Sequence, residues 1–280
     1  MRFDDDIRVS PAGEGRWAGR VDPGYNIGTN PNGGYLLAIA AAAMRAATPA
    51  HPDPLSLTAH YLKPGLPDAD CTVEVTVPRA GRSLSTVRAT LAQHDGARLE
   101  LLGAMGELGD ATGTTGKTDA TDATDATDAT LEPPPPAMPP PHDCVPRSPG
   151  EQGVALPILD RLEVRLHPDE ARAGAAGRAQ VTGWIRMRDG REPDPLAALM
   201  FTDAFPPAVF GLLGTVGWVP TVELTVQLRR RPAPGWMLAR FRTVDLVDGR
   251  LIEDGLLWDA RGRLVAQSRQ LALLRRAGGR

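Results

Sequence analysis

Asp203 sits in the stretch LMFTDAFPPAVF, residues 199–210, among eight apolar residues, two prolines and one threonine. A charged group in such company is rarely fully buried without a partner. On residues alone it reads three ways: a solvated helix position, a structural ion pair, or a general base whose pKa is raised by partial burial. A second stretch with chemical potential is NPNGG, residues 30–34, directly before an apolar run. Gly33 and Gly34 let the backbone approach a ligand. With Asn32 they open a helix, whose start offers unpaired N–H donors and a positive dipole end. Such donors suit a substrate carbonyl on which negative charge develops. The same residues also make an ordinary tight turn, and both readings stay open here.

Other chemistries lack their residues. No G-x-S-x-G elbow occurs, so a serine-hydrolase mechanism has no nucleophile. No glycine-rich phosphate loop occurs. The five histidines form no metal constellation with the two cysteines or with acids, so no metal is expected. His60 falls on an expected strand and reads as structural.

These residues must be positioned by larger elements. GGYLLAIAAAAMRAA reads as a buried, alanine-rich helix, and DPLAALMFTDAF as a second, with Asp194 as N-cap and Pro195 in its first turn. Pro206 and Pro207 should terminate it, leaving Asp203 on its last turn. After each helix come runs rich in β-branched residues, bounded by Gly, Pro or Asp-Gly: LSLTAHYLKPG, TVEVTVPRAG, SLSTVRATLAQHDG and ARLELLGAMGEL, then TVELTVQLRRRP, GWMLARFRTVDLVDG, RLIEDGLLWDARG and RLVAQSRQLALLRR. Leu57-Thr58 corresponds to Leu224-Thr225. One apolar helix followed by an antiparallel meander, given twice, predicts an α+β chain of two units. In each, a long helix is wrapped by a curved antiparallel sheet, which is a double hotdog. Joining the sheets edge to edge removes exposed strand edges.

The expected organisation is an N-terminal hotdog over residues 1–109, a low-complexity linker over 110–149 and a C-terminal hotdog over 150–280. The linker holds TDATDATDATDAT and LEPPPPAMPPP, which bury too little apolar surface to order themselves. They read as a mobile segment with a semi-extended proline tract.

With 280 residues, 42% hydrophobic and 23% charged, the composition is that of an ordinary globular protein. A net charge of -3 and 5% aromatic residues give no footprint for nucleic acid or an anionic membrane. The acidic start MRFDDDIRVS lacks the apolar core of a signal peptide. The longest apolar run falls well short of the ~20 residues of a membrane span. Two cysteines make no disulfide framework, so a cytoplasmic location is expected.

Beyond composition, the stretches NGGYLLAIAAAAM, PLSLTAHYLKPG, VPRAGRSLSTVRATLAQ, TDAFPP, PTVELTVQLRRRP and GRLVAQSRQLALLR resemble the acyl-CoA thioesterase II family of double-hotdog proteins. The resemblance spans nearly all of the chain except the linker. In that family an Asp, a hydroxyl residue and a Gln of the C-terminal hotdog hold the water that attacks the thioester. By position they fall on Asp203, Thr221 and Gln270. The match at Thr221 needs a one-residue offset before Arg231-Pro232, with Thr225 as the fallback. Strand alternation puts 221, 223 and 225 on one face, so both threonines are expected to point the same way. Single-hotdog thioesterases carry a His-Gly-Gly turn, and Asn32 stands where that His would be. The first helix carries no acid from Gly33 to Met44, so one active site per chain is expected.

The resemblance implies hydrolysis of acyl-CoA to free acid and coenzyme A, with no cofactor beyond the coenzyme A of the substrate. Arg229, Arg230, Arg231, Arg79 and Arg82 are candidate phosphate partners. Expected partners are acyl-CoA alone, without nucleic acid or membrane, and a homo-oligomer of double hotdogs stays open. Two alternatives are a thioesterase acting on acyl-carrier-protein or polyketide thioesters, and a non-catalytic acyl-CoA-binding protein.

Overall fold

A computed structural model of the chain describes residues 2–109, 131–215 and 217–276. The first apolar run forms helix α1, Gly33–Ala47, and ten of its fifteen residues are buried. Asn32 caps it, its side chain accepting from the Tyr35 N–H. The second forms helix α2, Pro195–Phe201, capped in the same way by Asp194, which accepts from the Ala197 N–H. The long helix expected of the second unit is thus only seven residues. Its chain turns at Thr202, before Pro206 and Pro207, so Asp203 lies just past the helix and not on its last turn. Every residue of α2 is buried. Burying each large apolar side chain of these helices contributes about 1.5–3 kcal/mol.

The helices are embraced by a thirteen-stranded sheet. In chain order its strands are β1 (Ser10–Pro11), β2 (Arg16–Val21), β3 (Asp53–Tyr61), β4 (Ala69–Ala80), β5 (Ser85–Gln93), β6 (Gly96–Gly106), β7 (Val145–Pro146), β8 (Leu162–Leu166), β9 (Gln180–Met187), β10 (Thr221–Leu228), β11 (Met237–Val247), β12 (Arg250–Trp258) and β13 (Leu264–Leu273). Their spatial order is β1-β2-β4-β5-β6-β3-β10-β13-β12-β11-β9-β8-β7, with every neighbouring pair antiparallel. Outward from the centre, β3-β6-β5-β4 and β10-β13-β12-β11 repeat one topology, each following its own helix. This is the double hotdog.

The two halves meet where β3 pairs with β10, Thr58 opposite Thr225, and the two hydroxyls lie 3.0 Å apart. The pairing Leu57 to Val226 and Ala59 to Leu224 makes Thr58 and Thr225 each other's counterparts across a local two-fold axis. Each half also carries a bulge three residues earlier. Leu55 is the extra residue against β6, and Val222 the extra residue against β13.

The expected linker is corrected on its C-terminal side. Residues 110–130, which hold the DAT repeat, lie outside the described residues. Residues 131–149 do not run free. The Trp258 indole N–H donates to the Pro133 carbonyl at 2.9 Å, and the Trp184 indole to that of Pro139 at 2.8 Å. Met138 packs with Leu238, Trp258 and Leu264, and β7 then joins the sheet beside β8. An extended proline tract makes no internal hydrogen bonds, so its carbonyls suit buried indoles that need an acceptor.

No helix among the described residues is long and apolar enough to cross a membrane.

Candidate active site

A cavity of about 380 Å³ opens where the start of α1 meets the end of α2. Its wall includes Asn32, Gly33, Asp203, Thr221 and Gln270, so residues far apart in sequence and drawn from both halves converge. Gly34 is not on that wall, because its N–H is turned toward Asp203.

Asp203 is held from the opposite half. Its Oδ2 accepts from the Gly34 N–H at 2.9 Å and from Asn32 Nδ2 at 3.0 Å, and Asn32 Nδ2 also donates to the Asp203 carbonyl at 2.6 Å. The glycines permit this approach. A Cβ on Gly34 would stand 2.7 Å from the Met200 carbonyl oxygen, and one on Gly33 would stand 2.9 Å from Asp203 Oδ2. So Asn32 and Gly34, expected to face substrate, serve the carboxylate first. Tyr61 steadies the turn by donating its hydroxyl to the Gly33 carbonyl at 3.0 Å. Burial raises the Asp203 pKa to about 6, and the Gly34 and Gly33 amides, the Arg147 charge and Asn32 hold it from rising further. A carboxylate of that pKa is ionised at neutral pH and more basic than a free Asp.

Thr221 and Gln270 meet directly, the threonine hydroxyl donating to Gln270 Oε1 at 3.3 Å. Strand alternation alone would turn Thr221 away. Leu224, Val226 and Leu228 face the core, which would place Val222 inward and Thr221 outward. The bulge at Val222 reverses this. Beyond it Thr221 pairs with the buried Ala272 and joins Gln270 on the inner face. Thr225 stays on the other face, donating to Glu223 and paired with Thr58 and the exposed Arg269. The expectation that both threonines point the same way is therefore corrected. Thr225 is absent from the cavity wall.

Three participants escape a reading of the sequence. Arg147 lies in the supposed linker, yet it is buried on the cavity wall, donating to the Ala204 carbonyl and to Gln152 Oε1, both at 2.6 Å. Burial pulls its pKa down to about 9, and the Asp203 charge opposes that. Tyr61 looks like one more strand aromatic. Glu253, in LIEDGLL, is a buried acid on the inner face of β12. Its pKa is pushed up to about 7 by burial and by the Asp203 charge, against a stabilising bond from the Ala208 N–H. The inward register of LIEDGLL between two apolar residues was the available signal.

The arginines suggested for coenzyme A are elsewhere. Arg231 pairs with buried Asp53 at 2.6 Å and Arg230 with Glu132 at 2.8 Å, and neither lines the cavity. The exposed cavity rim carries Lys63, Trp218 and Arg275 instead. Among the described residues no group of three or more His, Cys, Asp or Glu could hold a metal ion.

The first half lacks these groups at the matching places. Nine residues beyond each N-cap stand Ala41 and Asp203. Pro54 matches Thr221 across the bulges, and Gly103, opposite Leu57, matches Gln270, opposite Leu224.

Two units related by a local two-fold around paired helices, with a polar cavity lined from both, define a double-hotdog protein. Residues 21–107 match the acyl-CoA thioesterase N-terminal domain and residues 134–274 its C-terminal domain, so the chain belongs to the acyl-CoA thioesterase family. It is similar to a protein from Thermobifida fusca assigned as a thioesterase II, at 34% identity and a TM-score of 0.83, covering 99% of this chain and 98% of that one. A hotdog-fold protein of unknown function from Alicyclobacillus acidocaldarius gives 25% and 0.77, covering 99% of each. The acyl-CoA thioesterase II TesB2 of Mycobacterium marinum shares the fold at 20% identity and a TM-score of 0.71, covering 99% and 100%. An uncharacterized protein of Mycobacterium tuberculosis is 39% identical over 137 residues, 48% of this chain and 46% of that protein. The chain thus spans about half the length of the curated relatives it matches.

Proposed function

We propose that the chain hydrolyses acyl-CoA thioesters by direct attack of water, with Asp203 as general base and Thr221 and Gln270 orienting the water. The observation that carries this reading is the Thr221–Gln270 hydrogen bond, made possible by the bulge, on the wall of the cavity that Asp203 also lines. Family membership supports the same reaction class.

In this mechanism the water oxygen bonds to the thioester carbonyl carbon while its proton passes to Asp203. Thr221 and Gln270 offer neutral hydrogen bonds that orient the water without competing for that proton. The carbonyl oxygen becomes an oxyanion near the start of α1, where the helix dipole favours it. Collapse breaks the carbon–sulfur bond, and the proton on Asp203 is released to the thiolate or to solvent. No cofactor is required, and acyl-CoA is the partner this site calls for. The exposed Lys63 and Arg275 at the rim suit the coenzyme A phosphates. A cytoplasmic role in lipid metabolism fits such a substrate.

A panel of acyl-CoA and acyl-carrier-protein thioesters, followed by release of free thiol, tests the reading. It predicts turnover of acyl-CoA without added metal. Turnover of carrier-protein thioesters alone would transfer the activity to that substrate. Tight acyl-CoA binding with no turnover would make the protein a binding module.

A further inference from the structure

Glu253 occupies a position that the fold fills elsewhere with a hydrocarbon. Its cross-strand neighbour is Gln270, whose counterpart in the first half is Gly103, and Gly103 lies opposite Val87. Val87 is fully buried, so this inward position tolerates an apolar side chain. The second half instead places a carboxylate there, 8% exposed. Burying such a group is costly unless its oxygens find partners. Oε2 finds two, the Ala208 N–H at 2.7 Å and the Thr243 hydroxyl at 3.4 Å. Oε1 takes no hydrogen bond among the described residues and is not sealed off by the surrounding protein, and Glu253 lines the cavity.

The cavity has a direction. Its rim residues Lys63, Trp218 and Arg275 are exposed, whereas Phe241, Arg147 and Glu253 are buried. Coenzyme A is too large for the interior, so a thioester held beside Asp203 places coenzyme A toward the rim and the acyl group inward. The inner wall offers Phe205, Pro207, Phe210 and Phe241, with the Glu253 carboxylate among them. A plain alkyl chain would desolvate Oε1 and give it no partner, whereas a hydroxyl on the chain would donate to it.

Resting on the thioesterase reading, we infer that Glu253 is a specificity-determining residue that selects acyl groups bearing a hydroxyl along the chain. A pocket that hydrogen-bonds a substrate hydroxyl discriminates strongly against the analogue without it, more so than an apolar pocket rejects an added hydroxyl.

The test is binding of non-hydrolysable S-alkyl-CoA thioethers of equal chain length, one plain and the others carrying a single hydroxyl at successive carbons. Calorimetry is run on the 280-residue chain and on its Glu253→Val, the residue the first half uses, and Glu253→Gln variants. The expected result is at least tenfold tighter binding by the native protein of one hydroxylated analogue over the plain one. That ratio collapses toward one in Glu253→Val and is partly kept in Glu253→Gln, whose amide still accepts. Equal binding of all analogues by the native protein overturns the inference. So does an equal loss for plain and hydroxylated analogues in Glu253→Val, which is what a merely structural role gives. Because the thioethers are not hydrolysed, this outcome stands apart from turnover of the matching thioesters. Hydroxyl selection without turnover would sink the hydrolase reading and keep the subsite.

Discussion

The Gly34 N–H in the N-terminal half donates to Oδ2 of Asp203 in the C-terminal half at 2.9 Å. The site exists only where the two units dock, with α1 supplying its first turn and the chain after α2 supplying the carboxylate. Neither half alone carries both.

That relationship makes Gly34 intolerant of a side chain. A Cβ there would meet the Met200 carbonyl oxygen at 2.7 Å and Asp203 Cβ at 3.0 Å, neither of which is a flexible side-chain end. Gly34→Ala should destabilise the protein by about 1–3 kcal/mol through overpacking and lower hydrolysis with it. Thermal unfolding beside an activity assay checks both. An unchanged midpoint would show that the helices can part at no cost.

The two threonines should separate cleanly. Thr221→Val removes the hydroxyl that meets Gln270, and kcat should drop by about tenfold or more with little change in KM. Thr225→Val removes a hydroxyl on the far face, and kcat should stay within about twofold, since surface changes seldom reach a site. Equal effects on kcat would mean that the bulge does not decide which threonine serves the water.

Asp203 must be ionised to act, so kcat/KM should fall as pH drops below about 6. Arg147 helps to hold that pKa down. Arg147→Met should therefore move the acid limb to higher pH, in a pH–rate profile measured on folded protein. A limb that stays in place would remove Arg147 from the electrostatics of the base.

Glu253 links pH to stability. Its folded pKa of about 7 lies above the ordinary carboxylate value, so its contribution is fully present below the unfolded pKa of 4.5 and is lost as pH rises through about 7. Glu253→Gln mimics the protonated form. Relative to the native protein, this variant should gain stability between pH 4 and pH 8, by on the order of 3 kcal/mol at most. Parallel urea titrations across that range measure it, and a constant difference would contradict the shift.

Much of the fold was legible because the signals were local and repeated. The Asp194 cap, the start of the first helix after NPNGG and the correspondence of Leu57-Thr58 with Leu224-Thr225 all reappear in the structure. What escaped depended on tertiary context. The bulge at Val222 leaves no mark in TVELTVQL, which alternates in a single register straight through it, so Thr221 and Thr225 read as sharing a face. Arg147 hid in a proline-rich stretch whose order comes from Trp184 and Trp258, far away in sequence. The Asn32 and Gly34 donors were visible, but not that Asp203 takes them, because that contact joins the halves.

The most direct measurement is thiol release from an acyl-CoA by Asp203→Asn, on protein shown by circular dichroism to be folded. The amide oxygen can still accept from the Gly34 N–H, so the fold should hold, while the proton acceptor is gone. The rate should fall by about 10²–10⁴-fold. A folded Asp203→Asn protein that hydrolyses acyl-CoA at the native rate would contradict the account.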